Sequence, residues 1–436
     1  SHRMISGARY LGDWQEICEK LVEELENVNG VLWVTDFTNL FNLGGEGPED
    51  SVAAFLQPFI QQGKIKLLSE LSINELDASR RLLPGFTDNF QTIFIEEMKQ
   101  QKLLKVLNLF NEYTEKNFSV EIEKPAIELS YRLLNRYIKY ENFPGKVIKF
   151  LSHCLNEAYY NKQTGENNEK KIHLKKEDIL NAFIDRTGLP AILLKDEQTL
   201  SDAELHSFFS GKIIGQEDAI EKICSVIKIF KAGLNDPGKP VATMLFAGPT
   251  GVGKTASARM LARYFFSSGQ KKDPLIRLDM SELQYPEQID RLIGNRTETG
   301  KFIQQIRENP FSVILFDEIE KANPLMFDIL LNVLDEGILV DSLGRVTDFR
   351  NTIIIMTTNL GSEQKNSIGF GSNKNQGSNH LNQIKTFFRS EFFNRIDYVV
   401  SFNPLNEVTI REIVIKELEE VKLREGLTRK NINLKF

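Results

Sequence analysis

The chain has 436 residues, 41% of them hydrophobic and 26% charged, with a formal net charge of −6. That length holds two or three domains with sizeable cores, and the mild acidity gives no electrostatic footing for a nucleic-acid partner. Apolar runs reach only about five residues, far short of the roughly twenty that span a bilayer, so no membrane partner is expected.

In chain order, Ile17, Leu21, Leu25 and Val28 recur at helical spacing, and Val31 to Thr35 reads as a strand ending in Asp36-Phe37. Phe90 to Ile95 reads as a further apolar strand. Helical periodicity then fills residues 97–160, for example Ile127, Tyr131, Leu134 and Ile138, followed by Val147, Phe150 and Leu151. The polar, breaker-rich Asn161 to Lys171 reads as an exposed loop. Cys18, Cys154 and Cys224 have no metal-ligand spacing; they point to a reducing, cytoplasmic setting without a structural disulfide or zinc.

The most informative segment follows a short buried strand at Val241 to Ala247. It reads Gly248-Pro249-Thr250-Gly251-Val252-Gly253-Lys254-Thr255, and Ala256, Ala258, Met260, Leu261 and Ala262 then open a helix. This fits the phosphate-cradling pattern G-x-x-x-x-G-K-[ST] in the strand–turn–helix context that pattern needs. Backbone N–H groups and a helix dipole converge on one concavity there, which suits a di- or triphosphate. Lys254 is expected to reach the β/γ-phosphates and the Thr255 hydroxyl to ligate Mg²⁺.

Two more buried strands supply partners. Ser312 to Phe316 ends in Asp317-Glu318: Asp317 can hold Mg²⁺, and Glu318 is the natural base for aligning and polarising an attacking water. Thr352 to Met356 runs into Thr357-Thr358-Asn359, where the Asn359 amide can orient the same water. Arg395 has two readings, an arginine finger or a surface ion pair.

Together these segments resemble the second ATPase module of the Clp-class AAA+ unfoldases over residues 211–405. The resemblance is carried by Ile213-Ile214-Gly215-Gln216, the phosphate loop, Ile276 to Met280, Ile314 to Lys321 and Asp341-Ser342-Leu343-Gly344-Arg345. Asp348-Phe349-Arg350-Asn351, Thr358 to Ser362 and Phe393-Asn394-Arg395-Ile396-Asp397 complete it. It implies an α/β fold of P-loop modules, each a parallel sheet sandwiched by helices with a helical lid. It implies ATP and Mg²⁺ as cofactors, Ile213 and Ile214 at the adenine, Asn359 as γ-phosphate sensor and Arg395 as a finger acting in trans. That last role presupposes a ring, usually a hexamer in this family, acting on protein substrates.

The amino-terminal part resembles a degraded first module of the same family. Gly7-Ala8-Arg9-Tyr10-Leu11-Gly12 is similar to its pore loop, with Tyr10 at the aromatic residue that grips polypeptide. The water-activating Glu is replaced by Phe37, the polar sensor by Glu70-Leu71-Ser72, and the paired arginines by Asp88-Asn89. This module is therefore expected not to hydrolyse ATP. Phe143-Pro144-Gly145-Lys146 falls at the family's lid motif, and no long heptad stretch of the disaggregase branch interrupts the lid.

Two departures shape the functional expectation. After Leu292-Ile293-Gly294 the second module's pore loop is shortened and has no aromatic tip; Phe302 is either a substitute grip or core. A Gly/Ser/Asn-rich insertion, Gly361 to Asn379, carries Ile368-Gly369-Phe370, similar to the tripeptide with which some Clp unfoldases dock a peptidase. Those residues equally fit a role in pinning the loop. The expected function is ATP-driven remodelling or unfolding of proteins by a ring, with a Clp-type peptidase as a further partner. The alternative is a nucleotide-gated scaffold that threads nothing. The expected division is 1–96 (rest of a first large subdomain), 97–200 (its lid and connector), 201–405 (second large subdomain) and 406–436 (start of a second lid). The chain is expected to be a fragment.

Overall fold

The computed structural model describes residues 13–45, 47–139, 141–164, 172–195, 200–266, 274–294, 299–341, 343–360 and 383–422. Its strands are β1 (Val31–Val34), β2 (Lys66–Ser69), β3 (Val120–Ile122), β4 (Ile172–Leu174), β5 (Ala242–Ala247) and β6 (Leu275–Asp279), then β7 (Val313–Asp317), β8 (Ile338–Val340), β9 (Val346–Asp348), β10 (Ile353–Thr358) and β11 (Tyr398–Ser401). The chain packs as two compact units, one of residues 1–96, 287–307 and 338–348, the other of 97–286, 308–337 and 349–436. Among the described residues no helix is long and apolar enough to cross a membrane.

The first unit holds the parallel pair β1–β2, with Val31 opposite Lys66 and Val34 opposite Ser69. Its core is aromatic: the rings of Phe37, Phe41 and Phe86 lie 5.4–5.8 Å apart, joined by Trp14, Leu56 and Ile65. The strand expected at Phe90 to Ile95 does not form. Only Phe90 packs inward, 5.6 Å from the Phe37 ring, while Ile93, Phe94 and Ile95 are exposed, Ile95 to 92%. A strand needs a neighbour for its backbone N–H and C=O groups, and no described strand pairs with 90–95.

The second unit is built on a five-stranded parallel sheet in the order β11-β5-β10-β7-β6. Every residue of β5, β7 and β10 is buried. A parallel sheet covered on both faces requires that, and it explains why these strands read as continuous apolar runs. Burying each Ile of Ile353-Ile354-Ile355 contributes about 1.5–3 kcal/mol. The helix Glu217–Ala232 packs on β11, and the helix Lys254–Phe266 packs on β6, β7 and β10.

Residues 97–194 belong to the same unit. The helix Lys124–Tyr137 packs against the helices Gly145–Thr164 and Lys176–Thr187, beside the parallel pair β3–β4. The buried Lys146 ammonium donates to Ile138 O at 3.0 Å and sits 3.9 Å from the centroid of the Phe143 ring. Several bonds tie this helical segment to the sheet region. Arg136 Nη2 donates to Phe230 O at 2.7 Å, and Asn351 Nδ2 donates to Tyr137 O at 2.6 Å.

Candidate nucleotide site

β5 ends at Ala247, and the helix beginning at Lys254 starts only seven residues later, so residues 248–253 must turn sharply. Gly251 and Gly253 have φ of 80° and 104°, a region costly for residues with a Cβ. Added Cβ atoms there would meet nothing within 4 Å, so this side of the turn is open to a ligand. At Gly248 the requirement is packing: a Cβ would collide with Phe402 O and approach Phe402 Cβ to 2.9 Å.

Lys254 is 8% exposed, and its ammonium folds back onto the turn. It donates to Gly248 O, to Pro249 O at 3.0 Å, to Thr358 O at 3.2 Å and to Asn359 Oδ1 at 2.7 Å. Burial pulls its pKa below the ordinary lysine value, opposed by the charges of Glu320, Asp317 and Glu318. A buried cation among carbonyls beside an open glycine turn fits a phosphate chain.

The ends of β7 and β10 are laced together. Thr357 Oγ1 donates to Asp317 Oδ1 at 2.5 Å and accepts from Glu318 N at 3.0 Å. The other Asp317 oxygen, Oδ2, accepts from Arg277 Nη2 at 2.6 Å and Nε at 3.1 Å. Glu318 adopts the left-handed conformation (φ 57°, ψ 53°), which turns the chain sharply out of β7 into a short 3₁₀ turn, Ile319–Lys321. A carboxylate residue held in that region is strained, and such strain concentrates at functional sites. Its side chain accepts from Asn359 Nδ2 at 3.3 Å and pairs with Lys321 Nζ at 2.6 Å; the hydrogen bond to Glu318 holds the Lys321 ammonium pKa up.

A cavity of about 380 Å³ results, lined by Gly251, Gly253, Lys254 and Thr255 on one wall and by Asp317, Glu318, Thr357 and Asn359 on the other. The structure thus brings together Thr250, Gly251, Gly253, Lys254, Thr255, Asp317, Glu318 and Asn359. Thr255 and Asp317 line the same cavity, a pair of oxygen donors suited to Mg²⁺ once Asp317 gives up its bond to Arg277 or Thr357.

Gly248 and Pro249 take part through their carbonyls, and Val252 O accepts from the Gln216 amide at 3.3 Å. Ile213, buried, and Ile214, half-buried, do not line this cavity. Arg395 also lies outside it: Nε sits 2.5 Å from Asp335 Oδ1, in an ion pair whose geometry falls short of a hydrogen bond. Tyr10, and Ile368, Gly369 and Phe370, lie outside the described residues, as does most of the shortened loop at 295–298. Phe302 is buried in the helix Lys301–Glu308.

Thr357, Glu320, Arg277 and Lys321 had no role in the sequence reading. The one signal in favour of Thr357, Glu320 and Lys321 is position, within four residues of a strand end beside a candidate catalytic group; Arg277, on β6, has no such signal.

In the first unit, the residues at the corresponding chemical positions do structural work. Asp36 accepts from Thr38 Oγ1, Asn39 N and Asn39 Nδ2 at 3.1, 3.2 and 2.7 Å, closing the turn after β1. Phe37 is 3% exposed, in the centre of the aromatic core. Ser72 caps the helix Ile73–Leu82 in a reciprocal box with Glu75, and Asn89 closes a turn onto Gly85 O and Phe86 O.

Residues 239–399 match the family model of the AAA domain (Cdc48 subfamily). The chain is 29% identical over 501 residues to the ATP-dependent Clp protease ATP-binding subunit ClpC of Staphylococcus aureus (strain USA300), covering 99% of this chain and 60% of that protein. ClpC of Staphylococcus epidermidis is 29% identical over 503 residues, covering 99% and 61%. The chain thus spans about 60% of the length of these curated relatives. Among solved structures, the S. cerevisiae Hsp104-ADP complex matches with a TM-score of 0.69 and 27% identity, covering 97% of this chain and 73% of that one. A closed-state cryo-EM reconstruction of Hsp104 with ATPyS and FITC casein matches with a TM-score of 0.65 and 28% identity, covering 97% and 72%.

Proposed function

We propose that this chain, a member of the Clp-class AAA+ ATPases, hydrolyses ATP at the site around Lys254 and uses turnover to remodel or unfold protein substrates within a ring. The observation that carries this reading is the convergence of Lys254, Asp317, Glu318 and Asn359 on one cavity beside an open glycine turn. Lys254 binds and orients the phosphates, exchanging its carbonyl partners for phosphate oxygens. Glu318 and Asn359 align a water for attack on the γ-phosphorus, and Glu318 takes the proton. Thr255 and Asp317 would hold Mg²⁺, which would supply positive charge against the phosphate oxygens. Ile213 and Ile214 contact the base, and Arg395 of one subunit serves a neighbour's nucleotide, in a hexamer.

In this reading the first unit is hydrolytically silent and structural, because Phe37 is core and Asp36 is engaged in a turn. Tyr10 grips substrate in the channel, and Ile368-Gly369-Phe370 engages a Clp-type peptidase. The setting is cytoplasmic, in keeping with three free, buried cysteines. The relatives support ATP-dependent action on proteins: ClpC is named as a protease's ATP-binding subunit, and Hsp104 was solved with casein.

The test follows ATP-driven loss of fluorescence from a tagged, stably folded reporter, with Glu318→Gln and Tyr10→Ala beside the unmodified chain. Loss that depends on both residues supports the threading motor. Turnover without unfolding sinks it and favours the nucleotide-gated scaffold.

A further inference from the structure

The hydrogen-bond ladder between β10 and β7 ends at Met356 opposite Phe316, two residues before β10 itself stops. Asn359 lies just past the strand end, so on this side its N–H has no ladder acceptor. Glu320 supplies one, accepting from Asn359 N through Oε1 at 2.9 Å. Its other oxygen, Oε2, is buried with no hydrogen-bond partner among the described residues, so the carboxylate is not fixed there by another donor.

Glu320 reaches this place because Glu318 is left-handed. That conformation ends β7 abruptly and sends Ile319–Lys321 back toward the end of β10. The Asn359 side chain in turn bridges the two walls of the cavity, accepting from Lys254 Nζ at 2.7 Å and donating to Glu318 Oε1 at 3.3 Å. A shift of the Asn359 backbone would therefore disturb both bonds together.

We propose that Glu320 is a positioning residue for turnover at this site: its carboxylate holds the Asn359 backbone, and through it fixes the amide between Lys254 and Glu318. This rests on the reading of the cavity as an ATP-hydrolysing site. Glu320 touches neither phosphate nor water; it acts through Asn359. The positioning role belongs to the acceptor oxygen; the charge, which Lys254 also feels, is a separate effect. Glu320→Gln keeps an oxygen for the same N–H and removes only the charge, so it preserves the positioning.

The experiment measures kcat and KM for ATP, and direct binding of a fluorescent ATP analogue. It uses the unmodified chain, Glu320→Ala, Glu320→Gln, Asn359→Ala and the double alanine variant. We expect Glu320→Ala to lower kcat about tenfold or more while analogue affinity stays within about threefold. Glu320→Gln should restore most of the rate, and the double variant should be no slower than Asn359→Ala alone. The proposal is overturned if Glu320→Ala turns over at the normal rate, if Glu320→Gln is as slow as Glu320→Ala, or if the two alanine effects multiply. Loss of analogue binding in Glu320→Ala also overturns it, since that marks a general structural role. An unmodified chain that binds the analogue without turnover instead removes the ATPase reading beneath the proposal.

Discussion

Lys254 Nζ and Asn359 Oδ1 are joined by a 2.7 Å hydrogen bond, so the cation of the glycine turn and the amide at the end of β10 position each other across the cavity. Lys254 makes three further bonds, all to backbone carbonyls. Replacing it by Met removes the proposed phosphate ligand and takes a donor from each of those carbonyls, of which Thr358 O keeps Gly248 N at 3.2 Å. We expect Lys254→Met to weaken nucleotide binding about a hundredfold, and to destabilise the chain by about 1–3 kcal/mol. Calorimetric titration and urea unfolding measure the two effects; normal affinity would remove Lys254 from the site.

Glu318 separates chemistry from stability. Glu318→Gln should retain nucleotide while turnover falls about a hundredfold or more. Glu318→Gly should be equally inactive yet at least as stable as the unmodified chain, because glycine adopts φ 57° without the penalty of a Cβ. A melting temperature lowered by the glycine substitution would show that the left-handed conformation is not a source of strain.

Phe37 stands where the resembled family has its water-activating Glu, and the structure gives the replacement a physical meaning. Its ring lies 5.6–5.8 Å from those of Phe41, Phe86 and Phe90. Phe37→Glu therefore loses core packing and buries a carboxylate without any described partner. The expected cost is about 3–5 kcal/mol with no gain in ATPase rate. A stable Phe37→Glu variant that hydrolyses ATP at a Lys254→Met background would contradict the proposal that the first unit is silent.

Cys154 tests burial in the helical segment. Desolvation pushes its thiol pKa up from the ordinary 9.0 to about 12, with Glu157 adding to the shift. A raised folded value favours the neutral thiol in the native state. The associated stability is complete below pH 9 and is lost as pH rises toward 12. Iodoacetamide at pH 8.5 should label Cys154 about a thousandfold more slowly in the native chain than in urea. The stability difference from Cys154→Ala should shrink above pH 9. Labelling rates within tenfold of each other would show that the thiol is not buried as described.

Much of the second unit was legible because a parallel sheet covered on both faces demands unbroken apolar strands. Each of β5, β7 and β10 announces its end by a break in the apolar run, at Gly248, Asp317 and Thr357. The same logic misread Phe90 to Ile95: apolar content marks a segment able to pair, and says nothing about whether a neighbour is there. The clamp of Thr357 and Glu320 was illegible for another reason. It joins residues 39 and 40 apart by side-chain bonds that exist only once β7 and β10 are in register. Arg277 was hidden likewise, since its partner Asp317 is set by pairing of β6 with β7.

One buried amide has mechanical consequences. Gln216 donates from Nε2 to Val252 O and to Asn403 O, and accepts from Asn403 N through Oε1 at 2.9 Å. Asn403 lies between β11 and the helix Glu407–Lys422, whose Thr409 abuts Gly215 and whose Lys416 donates to Gly211 O at 2.9 Å. Any rotation of that helix must therefore stretch bonds that run, through a single side chain, into the backbone of the glycine turn. The Gln216 side chain is a rivet in a short lever: torque applied at the helix Glu407–Lys422 arrives as strain at the glycine turn of the proposed site.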